Sequence, residues 1–163
     1  YKLYEDITSS AFGFDIGALY KYNENLTFAA TIADINTKYK WDTSSLYGVE
    51  GNSTINEFPL LMKMAAAYKI DDPNLLTTLE FEHSDAETDF LRIGAEYIIF
   101  ENLILRAGFD RLSVGNSDIP MRPTFGFSYF KLFSGMNIGI DYAFVLEPYS
   151  SHDQHIVGLE LLF

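Results

Sequence analysis

Four charged residues on two neighbouring segments have the spacing needed for a ladder of opposite charges. Arg92 and Glu96 share one face of an alternating segment, and Arg106 and Asp110 share the corresponding face of the next segment. Residues opposite each other in paired strands lie close enough for ion pairing. Asp141 lies on the same face of a later segment. These five residues are predicted either to form a structural ladder on the lumen face of a barrel or to line a solute path, because charges on a pore wall set its selectivity.

Histidines are the other candidates for chemistry. His152, Asp153 and His155 bring two imidazoles and an acid together, a combination that can support acid–base catalysis or metal binding. Their polar, turn-rich surroundings are typical of a solvated loop. The sequence has no cysteine, which excludes a thiolate metal site and a disulfide framework. We therefore predict no catalytic residue, no metal site and no cofactor, and we do not expect an enzyme.

Composition narrows the fold class. The chain of 163 residues is long enough for one domain, and its net charge of −12 argues against a nucleic-acid partner, because no basic stripe is present to neutralise phosphates. No apolar run approaches the roughly eighteen residues that a membrane-spanning helix needs. The aromatic fraction of 16% instead favours β-strands, in which aromatic residues are enriched. These properties predict an all-β protein.

Large apolar residues alternate with small or polar ones along most of the chain. From Met136 to Phe144 every second residue is large and apolar, and a period of two indicates a strand with two different faces. Tyr1–Ile7 is expected to be the end of a further rising strand, so we expect the domain, residues 1–163, to be truncated at its N-terminus. The pattern predicts nine strands, at Ala11–Tyr22, Leu26–Ile35, Phe58–Ile70, Leu75–His83, Leu91–Ile99, Leu103–Asp110, Thr124–Leu132, Met136–Phe144 and Gln154–Phe163.

The predicted connections are alternately short and long. The short ones consist mostly of residues that favour tight turns, at Asn23–Asn25, Asp71–Asn74, Glu101–Asn102 and Ser134–Gly135. The long ones are polar, at Asn36–Glu57, Ser84–Asp89, Ser113–Pro123 and Leu146–Asp153. Short periplasmic turns and long outer loops are typical of bacterial outer-membrane barrels.

The composition of the two strand faces indicates lipid on one side. One face carries large apolar residues on every strand, whereas the other is rich in Gly, Ala, Ser and Thr with scattered opposite charges, as expected for a barrel lumen. Several tyrosines lie on the apolar face near strand ends, where an aromatic ring suits the headgroup level. We predict an antiparallel up-and-down transmembrane β-barrel in contact with membrane lipid. A soluble β-sandwich or calycin-like binding protein is the alternative from another class.

Two further segments suggest partners. Tyr39, Trp41 and Tyr47 give the predicted long loop Asn36–Glu57 an apolar component, which either packs into the barrel mouth or contacts a partner. The final strand places Val157, Leu159, Leu161 and Phe163 on its apolar face. This ending is similar to the C-terminal signal by which the barrel assembly machinery recognises its substrates.

A series of short segments follows the order found in a known family. The segments are Phe14–Tyr20, Ala33–Thr37, Trp41–Thr43, Phe58–Pro59, Gly94–Tyr97, Leu105–Phe109 and Asp141–Phe144. Together they resemble the C-terminal part of the PorV/PorQ family, whose architecture is related to FadL-type barrels and whose members close with about fourteen strands. The resemblance implies a bacterial outer-membrane protein that binds or anchors exported proteins or secretion-system subunits in type IX secretion. A FadL-like channel for small or hydrophobic solutes is the alternative.

Overall fold

The computed structural model describes residues 2–4, 7–42, 53–133 and 135–162, most of which lie in β-strands. No helix among them is long and apolar enough to cross a membrane. The predicted all-β, antiparallel class is confirmed. The strands are β1 (Lys2–Tyr4), β2 (Ile7–Lys21), β3 (Leu26–Asp42), β4 (Ser53–Glu57), β5 (Leu61–Ile70), β6 (Leu75–Ser84), β7 (Thr88–Phe100), β8 (Leu103–Ser113), β9 (Arg122–Phe133), β10 (Met136–Val145) and β11 (Gln154–Leu162).

All nine predicted strands are present, and the differences lie at their ends. β2 begins at Ile7 rather than Ala11, and β5 begins at Leu61 rather than Phe58. The later start of β5 follows from Pro59, which has no N–H group to donate to the ladder. Lys2–Tyr4 pairs with the start of β2, so the predicted end of a preceding strand is also present.

Two of the predicted long loops are wrong. β3 continues to Asp42 and β4 returns beside it, so most of the segment Asn36–Glu57 is paired strand, with Lys38 opposite Glu57. Residues 43–52 lie outside the described part of the chain. The predicted loop Ser84–Asp89 shrinks to a turn of residues 85–87, because β6 and β7 continue their ladder as far as the pair of Ser84 and Thr88.

The strands follow one another in chain order in a single sheet. β4 and β5 both pair with β3, one after the other along its length, and Phe58 N donates to the Thr37 carbonyl at 2.9 Å between them. As a result, the sheet has a three-stranded region at the end opposite the tight turn before β3. It consists of residues 8–12 of β2, residues 38–42 of β3 and the whole of β4. We call this region the extension.

The tight turns are fixed by side chains of the expected types. Asn23 Oδ1 accepts hydrogen bonds from the N–H groups of Asn25 at 2.9 Å and Leu26 at 2.7 Å. Asn25 Nδ2 donates to the Lys69 carbonyl at 2.8 Å and so links this turn to the end of β5. Hydrogen bonds from Lys69, and then from Asn25, lower the pKa of the Asp71 carboxyl in the neighbouring turn. Adjacent turns are therefore tied to each other at this end of the sheet.

The register places most of the large apolar residues on one side of the sheet. Directly paired residues of antiparallel strands share a face. One row of such pairs crosses β6 to β11 through Leu75, Tyr97, Leu105, Phe127, Tyr142 and Val157. We call this side the apolar face. The opposite side, the polar face, carries Lys63, Glu82, Arg92, Arg106, Ser128 and Asp141 among many small residues.

The buried side chains lie on the polar face of the sheet. Among the residues whose side chains are described, the buried ones are Glu82, Ser84 and Ser128, and no large hydrophobic side chain is buried. Leu159 on the apolar face remains 69% exposed. A soluble sandwich shows the opposite arrangement, because a second layer covers its apolar face.

The sheet is concave on the polar face. A cavity of about 670 Å³ lies against β6 through β11, and its charged lining residues are all on the polar face. Gly94 and Gly108 are paired within it, and a Cβ atom on Gly108 would lie 2.5 Å from the Ile93 carbonyl oxygen. The absence of side chains at these two positions lets the backbones of β7 and β8 approach closely.

The two edges of the sheet remain open. β2 runs toward the tight turn at Asn23, and β11 follows the connection after Val145 and runs toward the same end. Within the described residues the sheet is not closed, because β11 has β10 as its only neighbour and β2 has only β3 and the short β1. The predicted barrel closure is therefore absent from this sheet, whereas the predicted up-and-down order is present.

Candidate functional site

A first group of ion pairs on the polar face is centred on Arg92 in β7. The guanidinium nitrogen Nη1 lies 2.7 Å from Glu80 Oε1 and 3.0 Å from Glu82 Oε2. Glu82 Oε2 also lies 2.9 Å from Lys63 Nζ, and Arg92 Nε lies 3.5 Å from Asp110 Oδ1. We call these five residues the Arg92 cluster. It joins side chains of four consecutive strands, β5 to β8, at one height of the sheet.

Arg122 in β9 extends the Arg92 cluster across the rest of the sheet. Its Nη1 lies 3.0 Å from Asp110 Oδ2, and its Nη2 forms an ion pair with Glu147 after β10. Glu147 Oε2 also accepts a hydrogen bond from Gln154 Nε2 in β11 at 3.2 Å. Charges of alternating sign therefore link β5 to the residue after β10, and the Gln154 amide continues the link to β11, near the end that carries the longer connections.

A second group of charges lies closer to the tight turns. Arg106 Nε donates to Glu96 Oε2 at 2.6 Å, and Arg106 Nη1 lies 3.8 Å from Asp141 Oδ1. The Ser128 hydroxyl lies between them, accepting a hydrogen bond from Arg106 and donating one to Asp141. Ser128 is completely buried. We call these four residues the Arg106 cluster, and it joins β7 to β10.

A β-bulge explains how Arg92 reaches Asp110. The register of β7 and β8 shifts around Arg92, where β8 contains one extra residue. A bulge of this kind sets two residues opposite one. Asp110 and Arg111 therefore both lie across from Arg92, which gives this part of β8 one additional charge.

The two clusters bring together all five residues of the predicted ladder. Glu96 pairs with Arg106 across the β7–β8 hairpin as expected from their spacing, and Asp141 is reached through Ser128. The network also contains residues outside the predicted five-residue ladder. The additional ones are Lys63, Glu80, Glu82, Arg122, Ser128, Glu147 and Gln154. Lys63, Glu80 and Glu82 alternate on the correct face, but nothing local in the sequence indicates Ser128 or Arg122.

The cavity of about 670 Å³ lies between these clusters. Its charged lining residues are Arg92, Glu96, Arg106, Asp110, Arg122 and Asp141, and small or apolar residues complete its walls. Each of these charges has an opposite partner nearby. The site is therefore suited to holding strands together or to contacting a polar solute.

No family model matches this chain, and no curated protein is recognisably similar to it in sequence.

The histidine cluster considered from the sequence is not assembled into a site. His152 Nδ1 lies 2.8 Å from the Ser151 hydroxyl, whereas His155 Nδ1 lies 2.8 Å from the Tyr142 hydroxyl. Asp153 Oδ1 accepts the Glu147 N–H at 3.0 Å. Within the described residues no three groups converge to hold a metal ion. Each member of the cluster thus has a separate partner.

Two of the three aromatic residues predicted for partner contact, Tyr39 and Trp41, lie at the extension. The Tyr39 ring is 5.2 Å from the Phe58 ring, so these two aromatic residues pack together. Trp41 pairs along the backbone with Ser9 and Thr54 and so belongs to strand rather than loop. Tyr47 lies outside the described residues.

The C-terminal segment lies on the apolar face as predicted. Val157, Leu159 and Leu161 are paired with apolar residues of β10 and are 73%, 69% and 45% exposed. Phe163 lies outside the described residues. β11 therefore presents these three apolar side chains at an open edge of the sheet.

Proposed function

We propose that this chain forms much of the wall of a bacterial outer-membrane β-barrel, with its apolar face against lipid and its polar face toward the lumen. The observation that carries the proposal is the inverted burial. Glu82 and Ser128 are buried, whereas Met64 and Leu159 are more than two-thirds exposed. Lipid is the environment in which an exposed apolar face and a packed polar face are both stable.

Strand length and tyrosine placement support this orientation. β5 to β11 contain 9 to 13 residues, close to the number that a tilted transmembrane strand needs. β3 contains 17 residues and would reach about 58 Å when extended, so its end must leave the bilayer. On the apolar face, Tyr20, Tyr68, Tyr97 and Tyr129 all lie near the tight turns, as in the aromatic belt at a membrane surface. The tight turns would then face the periplasm.

Strand direction indicates how such a barrel must close. β2 and β11 both run toward the tight turns, so they cannot pair antiparallel with each other. A second copy in the same membrane orientation presents edges of the same direction and cannot close the sheet either. An odd number of additional rising and falling strands is needed, and β1 has the position and direction of the last part of one of them.

As a function for this barrel we propose nonenzymatic binding or anchoring of exported proteins or secretion-system subunits, as the PorV/PorQ resemblance implies. The extension is the part that supports this proposal. It rises beyond the ends of the other strands, and Phe12 and Ile55 within it are 67% and 55% exposed. Exposed apolar residues on a region outside the bilayer are typical of protein contact sites.

Removing the β3–β4 part of the extension is expected to abolish partner binding while leaving the barrel folded. Lys38 and Glu57 are paired, so residues 39–56 can be replaced by Asn-Gly, which favours a two-residue hairpin. The measurement is crosslinking of secretion-system subunits and surface display of exported proteins in cells. Shortening the segment between β8 and β9, residues 115–120, is the matched control. Undiminished crosslinking after loss of the extension would refute its role.

A channel for small solutes is the second candidate, and the cavity on the polar face favours it. Arg106→Glu is expected to alter uptake or single-channel conductance severalfold, because it reverses a charge on the proposed lumen wall. Lys40→Glu makes the same charge change on the extension. Equal conductance of wild type and Arg106→Glu would count against a solute path through this cavity.

A further inference from the structure

We infer that Arg111 and Arg122 form a binding site for a soluble oxyanion at the end of the polar face near the longer connections. The site depends on the proposed function only for the route of the anion, which would enter from the lumen. Its binding chemistry depends on the two arginines and their surroundings.

The two arginines are direct cross-strand partners in β8 and β9. Like charges in this position destabilise a sheet unless an anion lies between them. The nearby carboxylates already have other cations: Asp110 binds Arg92 as well as Arg122, and Glu147 binds Arg122. Arg111 forms no ion pair with either of these carboxylates.

Arg111 has an aromatic neighbour and no carboxylate partner in the part of the chain that the structure describes. Its Cζ lies 5.1 Å from the centroid of the Phe90 ring. Stacking on a ring uses the flat face of the guanidinium group and leaves its N–H groups free to donate in the plane. The buried Nε atoms of Arg111 and Arg122 likewise have no hydrogen-bond acceptor among the described residues. The pair thus has more donors than acceptors.

The chemistry of this site fits phosphate or carboxylate oxygens. A planar guanidinium fork binds two oxygens of one anion at once, and such charge-assisted hydrogen bonds are stronger than neutral ones. A free anion fits better than a lipid headgroup, because Arg122 lines the cavity of the polar face, on the side away from the exposed apolar residues. Inorganic phosphate is therefore a suitable probe.

Calorimetric titration of the folded protein in detergent with inorganic phosphate, at constant ionic strength, tests the inference. Saturable binding is expected, and Arg111→Gln should weaken it about tenfold or more, because a hydrogen bond to a charged group is lost. Arg111→Lys keeps the charge without the fork and is expected to give an intermediate affinity. Lys131→Gln removes an exposed cation elsewhere and should leave binding unchanged.

Three results would overturn the inference: no saturable binding to wild type, equal affinity of wild type and Arg111→Gln, or equal loss in Lys131→Gln. A further titration uses micelles containing phosphatidic acid. Preferential binding of that lipid over inorganic phosphate would refute a site for a free anion. Heat-modifiable gel migration of each variant shows whether the fold is intact, so a protein that is folded in detergent but binds no phosphate refutes the site and leaves the barrel proposal standing.

Discussion

Met64→Arg is expected to destabilise the folded protein in a bilayer by about 2–4 kcal/mol, the cost of an arginine on the lipid face near the midplane of a membrane barrel. Met64 lies on the apolar face within β5 and is 68% exposed. If water covered this face, arginine at such an exposed position would change stability by no more than about 0.5 kcal/mol. The substitution therefore distinguishes a lipid-facing surface from a hydrated one.

Ile55→Arg provides the matched control for this experiment. Ile55 is also a large, exposed hydrophobic residue, at 55%, but it lies on the extension. We expect its replacement to change stability by less than about 0.5 kcal/mol. Both variants are compared by urea unfolding in lipid vesicles. Equal, small effects at the two positions would contradict the membrane orientation and would mean that water covers the apolar face.

The positions of most strands could be predicted from the sequence because their signals are local. A period of two marks each strand, and Asn, Asp and Gly mark the turns between strands. Asn23, for example, satisfies two backbone N–H groups within its own turn. Such features depend on a few adjacent residues, so strand order and the two faces follow from them.

The pairing in the extension was not predicted, because β4, Ser53–Glu57, is polar apart from Ile55 and lacks that signal. The pairs between Lys38–Asp42 and Ser53–Glu57 are mostly polar. Strands that leave a bilayer have water on both faces, so neither face has to be apolar, and the segment has the composition of a loop. The pairing of β3 with β4 can be recognised only when β3 is known to continue beyond Ile35.

The membership of the ion-pair clusters was only partly predictable for a different reason. Alternation assigns Arg92, Glu96 and Arg106 to one face, but it does not specify register. The bulge in β8 sets Asp110 and Arg111 opposite Arg92, and a bulge of one residue leaves no clear sequence signature here. Ser128 enters its cluster through hydrogen bonds between non-neighbouring segments, which a single sequence does not reveal.

Arg92→Met is expected to destabilise the protein by about 2–4 kcal/mol, somewhat less than the 3–5 kcal/mol for breaking a fully buried ion pair. Arg92 contacts three carboxylates, of which Glu82 has a side chain only 10% exposed. Glu80 is 32% exposed, so water can partly replace its lost partner. Lys63 remains beside Glu82 at 2.9 Å, which limits the loss further.

Neutralising the carboxylate that loses its cation should restore part of this stability. Adding Glu80→Gln to Arg92→Met removes that charge while keeping the side-chain shape, so a thermodynamic cycle with these variants isolates the interaction of Arg92 with Glu80. Lys131→Met is the control for net charge, since Lys131 is exposed and has no ion-pair partner among the described residues. Unfolding midpoints in detergent provide the comparison. If the unfolding midpoint of Arg92→Met equals that of the wild type, the Arg92 cluster does not stabilise the sheet. Its charges would then be available to a solute in the cavity, as the channel candidate requires.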